Sequence, residues 1–160
     1  MFLYHGSNVS VEKPKIITPN RALDFGAGFY VTSSEDQAIK WAKLQANRRS
    51  FGVPTVSMYE FDMNILNKLN VKTFDSADEE WLAFVVSNRK GIYSGPKFDV
   101  VIGPVANDTT ITVLNSYIAG QITEKIALLM LEPQKLVDQF AFLTYDALNN
   151  LNFKGVAIHE

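Results

Sequence analysis

The side chains that could take part in chemistry stand in two short motifs near the N-terminus. The first is Tyr4-His-Gly-Ser7, and the second is Asp24-Phe-Gly-Ala-Gly-Phe-Tyr-Val-Thr32. A glycine in such a motif suits a binding site, because the backbone can approach a ligand closely only where no Cβ intervenes. An isolated His-Gly-Ser is more often an ordinary turn at the end of a strand. The presence of the second motif favours a binding site.

Several common chemistries are absent from the sequence. There is no GxxxxGK[ST] phosphate-binding loop, and Gly26-Ala-Gly28 precedes a predicted strand rather than joining a strand to a helix, so it is not a dinucleotide fingerprint. The chain has no cysteine, which excludes a thiol nucleophile and thiolate metal ligands. Two histidines, His5 and His159, cannot form a His-rich zinc site. We therefore expect no metal.

The elements that must position these motifs follow one another irregularly. Strands are predicted by apolar or alternating runs at 1–4, 28–32, 54–61, 98–103, 137–143 and 153–159. Helices are predicted after the capping residues Ser34, Ser76 and Thr144, and over 109–119 and 122–131. Residues 5–8 are expected to form the turn after the first strand. The pattern predicts an α+β fold and not the regular alternation of a doubly wound sheet.

Size and charge set the class of protein. A chain of 160 residues, 47% of it hydrophobic, fits a single domain spanning 1–160. A net charge of -2 gives no general attraction to nucleic acid or to anionic membranes. No apolar run reaches the ~18 residues of a membrane span, and no signal peptide is recognised. We expect a cytoplasmic protein that does not bind membranes.

Taken together, the motifs resemble the ADP-ribosyltransferase superfamily, in its diphtheria-toxin-like and poly(ADP-ribose)-polymerase-like branch. More closely, nearly the whole chain resembles a bacterial family of domains of unknown function assigned to that superfamily. The matching segments are DFGxGFYxT, Ala-x-x-Trp-Ala at 38–42, Glu80-Trp-Leu, Asn88-Arg89, 99–108 and Asp138-Gln-Phe-x-Phe. The resemblance implies an ADP-ribosyltransferase fold, in which two small mixed β-sheets form an NAD cleft with flanking helices.

The resemblance also implies roles for individual residues, with His5, Tyr30 and Gln139 as the catalytic set. His5 would hydrogen-bond the adenosine-side ribose, and the backbone of Gly6 would bind the nicotinamide carboxamide. Tyr30 and Trp41, eleven residues apart, would sandwich the nicotinamide ring by stacking and cation–π attraction. The other implied NAD contacts are Tyr4, Ser7, Gly28, Thr32 and Ala38. Spacing alone favours Tyr30 and Trp41 as core residues of a strand and a helix. We expect Phe29 in the core because it faces the other side of the strand.

One position departs from the superfamily. Gln139 stands where a catalytic Glu is usual, with Asp138 beside it on the opposite face of the strand. An amide can accept a hydrogen bond from a ribose hydroxyl, but it supplies no counter-charge and cannot act as a general base. Losing such an electrostatic contribution typically costs ~2.7–4 kcal/mol of transition-state stabilisation.

The segment before the helix at 109 allows two interpretations. Asn107 and Asp108 could simply cap that helix. Alternatively, they could line the acceptor side of the cleft together with Arg89, with Asp108 supplying the carboxylate that is missing at Gln139.

The function that these expectations describe is mono-ADP-ribosylation. The enzyme would cleave the nicotinamide–ribose bond of NAD, its only cofactor and a substrate, and transfer ADP-ribose to a protein or nucleic-acid acceptor. By analogy it would be a bacterial toxin or effector with a cognate antitoxin protein as partner. The alternatives are a catalytically silent module that binds NAD or ADP-ribose and engages a protein partner, and an NAD glycohydrolase.

Overall fold

The structure is a computed structural model that describes residues 1–17, 23–106, 108–134 and 136–160, and of Asp108 only the backbone. It is an α+β architecture with two small sheets and several helices. The strands are β1 Phe2–Ser7, β2 Phe29–Val31, β3 Thr55–Glu60, β4 Val71–Thr73, β5 Val100–Pro104, β6 Asp138–Phe142 and β7 Asn152–Ile158. The helices are α1 Glu35–Arg49, α2 Glu79–Arg89, α3 Asp108–Ile118, α4 Glu124–Leu131 and α5 Tyr145–Leu148, with a 3₁₀ helix at Met63–Lys68.

The two sheets differ in strand direction. The first sheet has the order β1-β3-β7, and its neighbouring strands are antiparallel. The second has the order β2-β6-β5-β4, in which β4 and β5 are parallel because α2 crosses over between them. The expectation of two mixed sheets is therefore wrong for the first sheet, where each strand returns against its neighbour.

Three apolar clusters separate these layers. The apolar cluster between the two sheets includes Leu3 and Tyr59 from the first sheet and Phe29, Val31 and Phe142 from the second. The other face of the second sheet packs against α2, α3 and α4. On the first sheet, Ala38 and Ala42 of α1 pack over Val56. Phe29 is buried between the sheets, which confirms the expectation for that residue.

Strand β1 continues through the residues that the sequence predicts as a turn. Its pairing with β3 runs from Phe2 opposite Glu60 to Ser7 opposite Thr55, so His5 and Gly6 are strand residues. The predicted turn is wrong at 5–7, because these residues have strand partners 48–52 residues further along the chain, and the chain bends only from Asn8 onwards. This outcome places the first motif on the edge of a sheet.

Helix boundaries follow local capping for the most part. Ser34 accepts a hydrogen bond from the amide of Gln37, as the capping box predicts. The second helix, however, begins after Asp78, whose side chain accepts from the amide of Trp81, and not after Ser76. No helix in the described ranges is long and apolar enough to cross a membrane. In the same ranges, no group of three or more His, Asp or Glu side chains could hold a metal ion.

Candidate functional site

The two sheets meet at one pair of residues and separate immediately beyond it. Tyr4 and Thr32 exchange both main-chain hydrogen bonds, at 2.8 and 2.9 Å, as an isolated antiparallel bridge. Continuing this register, Gly6 would pair with Tyr30. Instead, the carbonyl oxygen of Tyr30 lies 2.7 Å from Nδ1 of His5. The imidazole thus takes the place of a second strand pair, and the main chains of β1 and β2 separate beyond it.

This separation leaves the main chain of Gly6 without a strand partner at the outer edge of β1, although the residue itself is buried under α1. At the start of the strand, Met1 and Phe61 exchange both hydrogen bonds, at 3.1 and 2.9 Å, so the odd-numbered residues of β1 bond to β3. Tyr4 and Gly6 therefore direct their main-chain groups to the other edge. Within the part of the chain that the structure describes, no other main-chain group bonds to Gly6 at that edge. The N–H donor and the C=O acceptor of Gly6 therefore stand side by side at the edge of β1 that faces away from β3.

Gly6 also permits the close approach of α1 to β1. A Cβ at this position would lie 2.0 Å from the carbonyl oxygen of Ala38 and 2.7 Å from the amide nitrogen of Ala42. Ala38, one of the predicted NAD contacts, has its side chain fully buried in this contact. Helix packing therefore requires a glycine here, independently of any ligand.

His5 is held as a neutral imidazole. It is half-buried, and its ring stacks on Phe29 with a centroid separation of 4.3 Å. Burial lowers the pKa of His5, so the ring is uncharged near neutral pH. Since the partner of Nδ1 is the carbonyl oxygen of Tyr30, Nδ1 carries the hydrogen and Nε2 is an acceptor. Among the described residues, Nε2 has no hydrogen-bond partner.

Tyr30 is fixed at both ends. Its main chain lies in β2 opposite Ala141 of β6, and its hydroxyl donates to the carbonyl oxygen of Gly26. The same hydroxyl accepts from the amide of Phe25 at 3.1 Å. Burial raises the pKa of Tyr30 well above its ordinary value, so the phenol stays protonated. The ring therefore has a defined position rather than a freely rotating one.

Gln139 lies on the same face of the second sheet as Tyr30. Directly paired residues of neighbouring strands share a face, as do alternate residues of one strand, and Gln139 is two residues from Ala141. The residue is only 2% exposed, and its Nε2 has no hydrogen-bond partner within the described ranges. Leaving such a donor unsatisfied costs about 1–3 kcal/mol. Asp138 points to the opposite face and binds the hydroxyl of Ser33 at 2.7 Å, as strand alternation predicts.

The remaining predicted NAD contacts surround this junction. Thr32 is buried and donates its hydroxyl to the carbonyl oxygen of Asp138 at 2.9 Å, and Tyr4 packs against the α1 cluster. Gly28 forms a bridge with Ile17. Ser7 is half-buried, and its hydroxyl donates to the side chain of Asn8 at 3.3 Å.

Trp41 is half-buried on α1. It is three residues from Ala38 and next to Ala42, the two residues that lie on the sheet. Ala38 and Ala42 form the side of α1 that lies on the sheet, and by helical spacing Ile39 and Trp41 project from opposite flanks of that side. Ile39 packs against the cluster that contains Val56 of β3, which leaves Trp41 on the other flank.

Arg89, one of the residues predicted for the acceptor side, pairs with Asp24. Nε and Nη2 of Arg89 bind Oδ1 of Asp24 at 2.7 and 2.6 Å. Oδ2 of Asp24 accepts from the amide of Ala106 at 3.4 Å. Asn107 lies outside the described residues, and only the backbone of Asp108 is described, as the first residue of α3. Asp24 is a residue that the sequence analysis did not select, although it opens the second motif.

These features define an α+β protein whose two small sheets meet at Tyr4 and Thr32, with His5, Gly6, Tyr30 and Gln139 on the strands beside that junction. The chain belongs to the family described as "Protein of unknown function (DUF3990)", which matches residues 1–153. That range contains every residue of the candidate site. No curated protein and no solved structure matches the chain.

Proposed function

We propose that this protein binds NAD at the junction of β1 and β2 and transfers its ADP-ribose to a macromolecular acceptor. The observation that carries the proposal is the edge of β1 at Gly6, where an N–H and a C=O stand side by side without a main-chain partner among the described residues. A primary carboxamide such as that of nicotinamide is complementary to this edge, since its NH₂ donates to the carbonyl and its oxygen accepts from the amide. Strand-like hydrogen bonding of this kind fixes the orientation of a planar ligand.

Two neighbouring groups fit the rest of NAD. Nε2 of His5 is an acceptor without a partner in the described part of the chain, and a ribose hydroxyl is the matching donor. Tyr30 offers an aromatic ring that its own hydroxyl bonds hold in place, and Trp41 extends from the flank of α1 that faces away from β3. Aromatic rings attract a cationic ring such as the nicotinamide of NAD by roughly 0.5–2 kcal/mol each.

The proposed reaction breaks the bond between the ribose C1′ and the nicotinamide nitrogen. The bonding electron pair leaves with the neutral nicotinamide, and the ribose develops oxocarbenium character. The acceptor then forms a bond to C1′ and gives up its proton. Gln139, buried on the face of Tyr30, would bind a ribose hydroxyl, and its unpartnered Nε2 supports a polar ligand atom nearby. Because an amide neither takes the proton nor balances the positive charge, we expect slow turnover.

Gln139 also supports a second candidate function. A neutral group at the position of the usual Glu suits a module that binds NAD or ADP-ribose without cleaving it and engages a protein partner. NAD glycohydrolysis, with water as the acceptor, is the third candidate. The role of a bacterial toxin or effector, neutralised by a cognate antitoxin, remains part of the leading proposal.

The test combines NAD binding by calorimetry with nicotinamide release by chromatography. We expect the wild type to bind NAD and release nicotinamide, His5→Ala to weaken binding about threefold to tenfold for a lost hydrogen bond, and Gln139→Glu to raise release. His159→Ala, at the other histidine, is the matched control and should leave both unchanged.

The outcomes separate the candidates. Binding without release, in both the wild type and Gln139→Glu, would leave only the binding module. Release that is independent of any added protein or nucleic acid would identify a glycohydrolase. A wild type that does not bind NAD would reject all three candidates.

A further inference from the structure

The ion pair between Asp24 and Arg89 joins helix α2 to the turn that precedes β2. Nε and Nη2 of Arg89 both bind Oδ1 of Asp24, and Oδ2 of Asp24 accepts from the amide of Ala106. Asp24 is 7% exposed, so its charge is almost entirely removed from water. A buried carboxylate that lost its cation would be strongly unfavourable, and the turn is therefore held to α2 by this pair.

The same turn supplies both hydrogen bonds that hold the hydroxyl of Tyr30. Phe25 and Gly26 follow Asp24 directly, and they contribute the amide and the carbonyl oxygen that bind this hydroxyl. The turn is closed by the amide of Gly26, which donates to the carbonyl of Leu23 at 3.2 Å. Any displacement of Asp24 therefore moves both partners of the phenol.

A second contact restricts the turn from the side of α2. Gly26 has a φ of +94°, and a Cβ there would lie 3.2 Å from the side-chain oxygen of Asn88. Phe25 is fully buried and packs against Phe74 and Phe84. The turn thus lies between α2 on one side and the Tyr30 ring on the other.

We propose that Arg89 is a positioning residue for Tyr30, acting through Asp24 and the main chain of Phe25 and Gly26. The effect of this positioning on a ligand rests on the function proposed above, in which the Tyr30 ring stacks on nicotinamide. In this role the guanidinium is used inside the protein and does not contact the ADP-ribose acceptor. Lysine cannot replace it, since a single ammonium group does not reproduce the two converging N–H donors.

The first part of the test needs no ligand. Carbon-13 labelling of the six tyrosine rings gives NMR signals, and Tyr30→Phe identifies that of Tyr30. We expect Arg89→Lys, which keeps the charge, and Asp24→Asn to shift or broaden the Tyr30 signal. Glu80→Gln, on the same helix as Arg89, is the control, because it breaks the ion pair with Lys72 of β4 without touching the turn. An unchanged Tyr30 signal in folded Arg89→Lys would overturn the proposal.

The second part compares NAD with ADP-ribose, which lacks the nicotinamide ring. If Arg89 positions Tyr30, Arg89→Lys should raise the Kd for NAD about two- to tenfold, the range of one aromatic stacking contact, and leave the Kd for ADP-ribose unchanged. An equal loss for both ligands would contradict a role through Tyr30. If the wild type binds neither ligand, the proposed function fails, and the NMR result alone decides whether Arg89 positions Tyr30.

Discussion

Replacing Gly6 with alanine should push helix α1 away from strand β1. The new Cβ would lie 2.0 Å from the carbonyl oxygen of Ala38, so the helix must retreat by about 1.4 Å to restore an ordinary contact of 3.4 Å. Overpacking of this kind costs ~1–3 kcal/mol, and a backbone obstacle places the cost at the upper end. Alanine in a strand recovers ~0.5–1 kcal/mol of backbone entropy. The net loss of unfolding free energy is about 2 kcal/mol.

For a chain of this size, that loss lowers Tm by about 4–8 °C, which calorimetry and urea unfolding followed by circular dichroism measure directly. Ser7→Ala, in the same strand, is the control and should stay within ~0.5 kcal/mol of the wild type. Because the obstacle is main chain, removing the side chain of Ala38 cannot relieve it. Recovery of stability in the double variant Gly6→Ala/Ala38→Gly, or a normal Tm in Gly6→Ala, would refute the packing argument.

Three further expectations concern stability. Burial lowers the pKa of His5 below 6.5, so the unfolded chain binds the proton more readily, and the unfolding free energy should increase as the pH rises towards 6.5. His5→Gln should flatten that increase in urea titrations at a series of pH values. Gln139→Leu removes the buried amide whose Nε2 lacks a partner and should raise the unfolding free energy by about 1 kcal/mol in urea titration, whereas a loss of stability would show that the amide is satisfied. Trp81→Phe loses the 3.0 Å hydrogen bond from Nε1 to the carbonyl oxygen of Pro104 as well as buried volume, and should lower the urea midpoint by the equivalent of about 2 kcal/mol; an unchanged midpoint would count against this bond.

Features set by neighbouring residues could be predicted from the sequence. The cap at Ser34 depends on an amide three residues away, and strand alternation suffices to bury Phe29 and to separate Asp138 from Gln139. Local patterns of this kind need no knowledge of the fold. They correctly placed Tyr30 and Gln139 on strands.

Features that depend on distant partners could not be predicted from the sequence. The extension of β1 through Gly6 requires pairing with β3, and the three-residue β4, half-exposed, exists only beside β5. Asp24 and Arg89 are 65 residues apart, and nothing in the sequence joins them. The positions of Asp24 and Arg89 depend on such long-range contacts, which explains why the sequence indicates no role for Asp24.

The bridge between Tyr4 and Thr32 is the one main-chain pair that joins β1 to β2 in the described ranges. His5 and Gly6 belong to the first sheet, whereas Tyr30 and Gln139 belong to the second, so the candidate site is divided between the two sheets. A ligand that binds residues of both sheets would connect the two sheets. Transient opening of that bridge would then become rarer, and the amides of Tyr4 and Thr32 would exchange with solvent deuterium more slowly.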